Sequence, residues 1–263
     1  MKREKADYTV QSVHKALEIL EILADTDGKL TPAELGQRVA LPQATIQRIL
    51  HTMEMRGYVE AIPASGRFGI GLKSFEIGQA YRHQLGLSQA ARPVMRELVR
   101  ACDESASLTL LRGVHVVYLD VFQTSKALRI ASRVGSITPA HCTAAGKIQL
   151  AFLPPHQLDA FLASPLKPLT SRSITDPELI RQQLREAAAN DYAMDDQEFD
   201  DGVRCVAVPI RDHHRHVIAG VSITGPISRM STARIRDELL PRLIDAGQEI
   251  SRRLGFEPDR TAN

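Results

Sequence analysis

Apolar residues recur at helical spacing over residues 12–24, where Val13, Ala16, Leu17, Leu20 and Leu23 mark one stripe, and residues 25–28 end the run. Two shorter helices follow within residues 30–57, joined by a tight turn. Thr31 suits a cap, Pro32 the first helical position, and Glu34 completes a capping box, while Leu30 and Leu35 are spaced for a hydrophobic staple. Leu35 and Val39 face inward, Gln37 and Arg38 outward, and the helix must stop before Leu41-Pro42. In the next helix Ile46, Ile49, Leu50 and Met53 share one apolar face. Gly57 closes it, and residues 58–62 and 67–70 read as strands around turn chemistry at 63–66. The pattern is a helix-turn-helix followed by a wing.

Residues 73–87 continue as a helix whose less polar positions are Phe75, Ile77, Ala80, Tyr81 and Leu85. Its apolar surface exceeds what a small winged domain needs, so it is either a plain linker or a connector that also makes a dimer contact. Residues 88–103 form an amphipathic helix with Val94, Leu98 and Val99 inward, and then the texture changes. Residues 106–111 and 114–122 predict a hairpin about Arg112-Gly113, and 128–134 a further strand. Helices are expected over 143–153, 155–163 and 176–190, the last capped by Thr175-Asp176, and strands over 192–194, 203–211 and 217–224. Residues 231–254 read as one long closing helix. Antiparallel strands with helices segregated around them make an α+β domain of the small-molecule sensor type. The expected division is residues 1–72, a winged helix-turn-helix, 73–87, a linker helix, and 88–263, a ligand-sensing domain.

Composition narrows this picture without deciding it. The 263 residues, 43% hydrophobic and 24% charged, suit two globular domains. A net charge of +2 is too small to argue for nucleic acid, so any basic footprint must be local. Cys102, Cys142 and Cys205 have no C-x-x-C spacing, which fits a reducing compartment, and no run reaches the length of a membrane span. A cytoplasmic protein without a bound cofactor is expected. Residues 1–9 read as a loose polar arm.

The outer face of the second short helix carries Gln43, Ala44, Thr45, Gln47, Arg48 and His51. Gln can pair with adenine and Arg with guanine, while Ala and Thr leave room for a thymine methyl group. A polar outer face alone is what any amphipathic helix shows; the wing that follows favours DNA. Arg67 and Lys73 would then lie near phosphates.

In the second half, His141-Cys142-Thr143-Ala144-Ala145-Gly146-Lys147 begins a helix with small residues. They suit either an anion at the helix N-terminus or close packing on a sheet. An acidic loop over residues 195–201 precedes the strand holding Val203 and Cys205, and Ser222 and Thr224 share one face of another strand. If these faces meet at the Thr143 helix, they enclose a concave site. Two other readings compete. One is a metal sensor using His141, Cys142, Cys205 and Asp195, with His213, His214 and His216 a denser but ordinarily solvated cluster. The other is an enzyme with Cys205 or Cys142 as nucleophile, for which no base and orienting partner can be assembled, so no catalytic residue is assigned.

The winged helix with LPQATIQRIL, the connecting helix, the HCTAAGK segment and DDQEFDDGVRCVAVPIRD followed by VIAGVSITGP together resemble the IclR family of bacterial transcription regulators, over residues 8–256. The resemblance implies a GAF-like effector domain whose pocket falls on Ala144, Ala145, Asp195, Gln197, Val203, Cys205, Ser222 and Thr224, with Ile130 on an adjacent strand. The sequence departs from the family at Gln197, where an acidic residue is common, and at Thr224, where a second serine is common. The resemblance also implies a homodimer or dimer of dimers on a palindromic double-stranded DNA operator, and small organic acids or aromatic catabolites as effectors.

Overall fold

The computed structural model describes residues 9–26, 29–84 and 86–257. Leu85, Gly28 and residues 1–8, for which a connector position, a helix end and a loose arm are expected, lie outside them. The chain divides into two compact units, Met1–Gln84 and Leu85–Asn263.

The first unit holds α1 (Gln11–Asp25), α2 (Pro32–Val39), α3 (Gln43–Met55), β1 (Val59–Ile62), β2 (Arg67–Ile70) and α4 (Leu72–Gln84). The α2 cap forms as the sequence predicts: Glu34 N donates to Thr31 Oγ1 at 3.3 Å, and Thr31 N donates to Glu34 Oε2 at 2.7 Å. Ala40 then takes a left-handed conformation at φ 53°, which turns the chain into α3. Ile19, Leu23, Leu30, Leu35, Val39, Ile46, Leu50, Met53 and Val59 form the core. In α1 the stripe is rotated from the predicted one, since Ile19 and Leu23 are buried while Val13 and Leu17 are exposed. Gly57, at φ 75°, releases the chain into the wing, and Leu30 bridges Phe68 to add a short third edge. The connector helix does not run to residue 87. It ends at Gln84, and Gly86, at φ 61°, opens α5 (Leu87–Cys102). Phe75 and Ile77 of α4 are exposed.

The second unit is built on a six-stranded antiparallel sheet ordered β5-β4-β3-β8-β7-β6. Its strands are β3 (Ser105–Arg112), β4 (His115–Phe122), β5 (Ile137–Pro139), β6 (Ala193–Asp196), β7 (Val203–Arg211) and β8 (Val217–Pro226). Residues 128–134 are not a strand. They cross as irregular chain, Leu128 and Val134 are exposed, and the edge pairing falls instead to β5 against β4. Pro209 sits in β7 two residues past Ala207, the partner of the first residue of β6, so its missing N–H costs no ladder bond there.

Alternation assigns the two faces. Val206, Val208, Ile210, Ala219, Val221 and Ile223 pack against α5 and the closing helix. That closing helix is not continuous: α9 (Thr232–Arg234) passes through a π turn (Ile235–Leu239) into α10 (Leu240–Arg253). Pro241, in the first turn of α10, has no N–H for the regular ladder, and the wider π turn absorbs that break.

The opposite face carries α6 (Ala144–Leu150), every residue of which is buried, with α8 (Pro177–Asn190) outside it and α7 (Pro155–Leu162) nearby in sequence. Gly146 explains how α6 fits, because a Cβ there would stand 2.1 Å from the Ala140 carbonyl oxygen. The small residues of this segment thus serve close packing.

Candidate nucleic-acid interface and ligand cavity

On α3, Gln43, Ala44, Thr45, Gln47, Arg48 and His51 are all exposed, while Ile46 and Leu50 are fully buried. The buried stripe therefore turns the six polar or small positions outward together. Pro42 precedes α3 without a side-chain cap, so its first-turn amides receive no side-chain acceptor. Arg67 is committed differently from the sequence expectation: its Nη1 donates to the Lys29 carbonyl at 2.7 Å and lies 3.5 Å from Glu34. The Thr31 hydrogen bonds, followed by Arg67, hold Glu34 below the usual carboxylate range. Lys73 pairs with Glu76 at 2.8 Å.

In the second unit, register brings a polar row across four strands. Asp195 pairs with Cys205, Cys205 with Thr224, and Thr224 with Ser105, while Ser222 lies in the next row between Ala207 and Ser107. Above this row sits the start of α6, where Thr143 caps by accepting from Gly146 N at 3.0 Å. The enclosed cavity is lined by Ile130, Ala144, Ala145, Asp195, Cys205, Ser222 and Thr224, together with Tyr118, Ser132, Thr143 and Phe199. Its volume is about 10 Å³, the lower limit for holding one water. The walls are in near contact, so any organic ligand must part them.

Two expected residues do not line this contracted cavity. Gln197 follows the end of β6 with φ 65°, and this left-handed turn breaks strand alternation. Its side chain folds back on its own loop, accepting from Gly202 N at 3.2 Å and donating to Asp196 at 3.4 Å. Val203 is buried next to the cavity, in the apolar cluster that also holds Ala144, Ala145 and Cys205. Of the four residues absent from the sequence expectation, Thr143 had a readable signal in its position before a helix of small residues. Tyr118, Ser132 and Phe199 reach the cavity through strand order and loop path, which no local pattern reveals.

The cavity's electrostatics follow from burial. Asp195 is fully buried, and its carboxyl is pushed up to about 6, first by desolvation and then by Glu198, against the amides of Glu198 and Phe199 and the Lys147 ammonium. Those amides donate to Oδ1 at 2.7 and 3.3 Å, while Oδ2 is buried without a hydrogen bond among the described residues. Burial, then the Asp195 charge, raises the Cys205 thiol well above its ordinary value, and burial first pushes Tyr118 up to about 12. Both groups keep their protons at neutral pH. The cavity thus offers hydroxyl and thiol groups and one titrating carboxyl on an apolar wall.

The residues considered for metal binding separate. His141 Nε2 and Cys142 Sγ lie against the Lys167 carbonyl at 3.2 and 4.0 Å, whereas Cys205 belongs to the cavity. Among the described residues no trio of His, Cys, Asp or Glu is placed to hold a metal ion. No helix among them is long and apolar enough to cross a membrane.

Comparison with known proteins decides the family. Residues 79–252 match the bacterial transcriptional regulator IclR C-terminal domain, and residues 12–63 match the IclR helix-turn-helix domain. The chain belongs to the IclR family of transcriptional regulators. Among its relatives, the HTH-type transcriptional regulator KdgR of Escherichia coli is 34% identical over 254 residues, covering 96% of each chain. The HTH-type transcriptional regulator BhcR of Paracoccus denitrificans is 32% identical over 254 residues, covering 96% of this chain and 90% of that one. A regulator of Rhodococcus has a TM-score of 0.84 at 29% identity, covering 94% of this chain and 98% of that one. An IclR homolog of Microbacterium hydrocarbonoxydans, crystallised with 4-hydroxybenzoate, has a TM-score of 0.83 at 25% identity, covering 92% of this chain and 98% of that one. This IclR-family chain is accordingly a DNA-binding regulator with a C-terminal effector domain.

Proposed function

We propose that this IclR-type regulator reads a palindromic operator with Gln43, Ala44, Thr45, Gln47, Arg48 and His51 of α3, as a homodimer or dimer of dimers in the cytoplasm. The start of α3 supports the reading, since no side chain caps it while Thr45 N and Ile46 N are taken by the Pro42 carbonyl, which leaves the Gln43 and Ala44 amides at the helix start to receive a phosphate. Arg67 and Lys73, held by Glu34 and Glu76, enter the phosphate contacts by exchanging those exposed partners. The two-fold axis of the dimer sets the half-site spacing. Residues 72–84 serve as the linker between the DNA-binding and effector domains.

The effector is a small organic acid or hydroxylated aromatic bound between α6 and the sheet. The carrying observation is the buried Asp195 Oδ2, which has no hydrogen bond among the described residues, in a cavity otherwise lined by apolar, hydroxyl and thiol groups. A ligand hydroxyl satisfies it. The complex of the Microbacterium homolog with 4-hydroxybenzoate supports this class. By binding the parted form of the cavity better than the contracted one, the ligand shifts operator affinity; equal affinity for both would change nothing. We assign no catalysis, because protonated Cys205 and Cys142 thiols are poor nucleophiles.

The test is fluorescence anisotropy with promoter fragments from the protein's own locus, with and without a panel of small acids that includes benzoate and 4-hydroxybenzoate. Specific binding released or tightened by a hydroxylated acid is the expected result. Binding no tighter than to random duplex ends the proposal.

A further inference from the structure

Lys147 and Glu198 form an ion pair with side chains only 2% and 7% exposed, and Lys147 Nζ also donates to the Met194 carbonyl at 3.3 Å. Lys147 lies one turn beyond Ala144 on α6, which supplies one wall of the cavity. Glu198 lies in the loop supplying the facing wall, and its backbone N is the donor that holds Asp195 Oδ1 at 2.7 Å. The loop is tied a second time from outside, where Ser173 Oγ donates to the Glu198 carbonyl at 2.6 Å and Thr170 Oγ1 to the Gln197 carbonyl at 2.7 Å.

A buried pair of this kind is a poor source of stability, because an apolar pair of similar volume is commonly as stable or more so. This one is also unevenly balanced. A single ammonium faces two carboxylates, and Glu198 Oε2 and Asp195 Oδ2 are both buried without hydrogen bonds among the described residues. Its placement between the two walls is what the arrangement supplies. We propose that the Lys147–Glu198 pair is the positioning element of the ligand cavity: it clamps the loop of residues 195–202 to α6 and so holds the Asp195 carboxyl beside Cys205.

The inference rests on the cavity being the effector site, and its tests use no effector. The charged and titrating groups facing Asp195 are Lys147 from α6, Glu198 from its own loop, Cys205 from β7, Tyr118 from β4 and Cys142 from the turn before α6. K147M and E198Q each break the clamp, so in both the loop opens and the Asp195 midpoint falls from about 6 as burial, its largest cause, is relieved. Carbon-13 aspartate NMR, with D195N assigning the signal, reads both. Opposite shifts, upward in K147M and downward in E198Q, report charge removal in an unmoved loop and overturn the proposal, as does no shift in either variant.

K147M/E198L, which replaces both charges by apolar groups, carries a second measurement should the single variants not fold. Iodoacetamide alkylation of Cys205, followed by peptide mass spectrometry, rises about tenfold as the unclamped loop opens locally, with Cys102 on the other side of the sheet unchanged. An unchanged Cys205 rate, or an equal rise at Cys102, overturns the proposal. A protein that gives the expected results yet responds to no small acid retires the effector reading and leaves the clamp standing.

Discussion

Thr224 Oγ1 donates to Cys205 Sγ at 3.2 Å across the β7–β8 pairing, one register step from Asp195. The thiol, kept protonated by burial, has Asp195 on one side and the threonine hydroxyl on the other. These three side chains form the cavity floor, and their chemistry sets what a ligand meets first.

Thr224→Val removes that hydroxyl while keeping the shape of the side chain, and Ser222→Ala removes its neighbour's. Each loses about one neutral hydrogen bond, so the half-saturating concentration of a responding acid rises about 2- to 10-fold. Titration of the effector-dependent change in operator anisotropy measures it.

Asp195 makes the effector domain's stability depend on pH in an unusual sense. Its folded value of about 6 lies above its ordinary 3.8, so its contribution is present below that ordinary value and is lost as pH rises through about 6. D195N abolishes the dependence. Urea unfolding at about pH 8 gives a variant more stable than the parent by on the order of 2 kcal/mol, and at about pH 4 the two coincide.

Arg48→Ala weakens specific operator binding by ~1–3 kcal/mol if the exposed guanidinium reads a guanine edge. The loss concentrates on one base pair of each half-site. Anisotropy against a set of single-base operator variants shows whether specificity at that position relaxes; uniform weakening across sequences would mark Arg48 as a phosphate contact instead.

Gly146→Ala places a methyl group where the Ala140 carbonyl oxygen stands 2.1 Å away, and backbone on both sides must move. The variant is destabilised by about 3 kcal/mol, read by thermal unfolding. Gly66→Ala is a useful comparison, since no atom lies within 4 Å of its Cβ and only its φ of 65° opposes the side chain.

Local chemistry along the chain was sufficient for the winged helix. Thr31, Pro32 and Glu34 act within four residues, Gly57 ends a helix by its own conformational freedom, and the Ile46, Leu50 and Met53 spacing turns Gln43, Gln47 and Arg48 outward without help from distant chain. The alternation of β7 and β8 likewise put Cys205, Ser222 and Thr224 on faces that could share a site. Tertiary structure decided the rest, because long-range pairing chooses among local options of similar energy. It left residues 128–134 irregular and gave the sheet edge to residues 137–139, and it turned Gln197 out of the cavity through one left-handed residue. It also set Lys147 against Glu198 across 51 residues of chain, a meeting for which neither neighbourhood carries a signal.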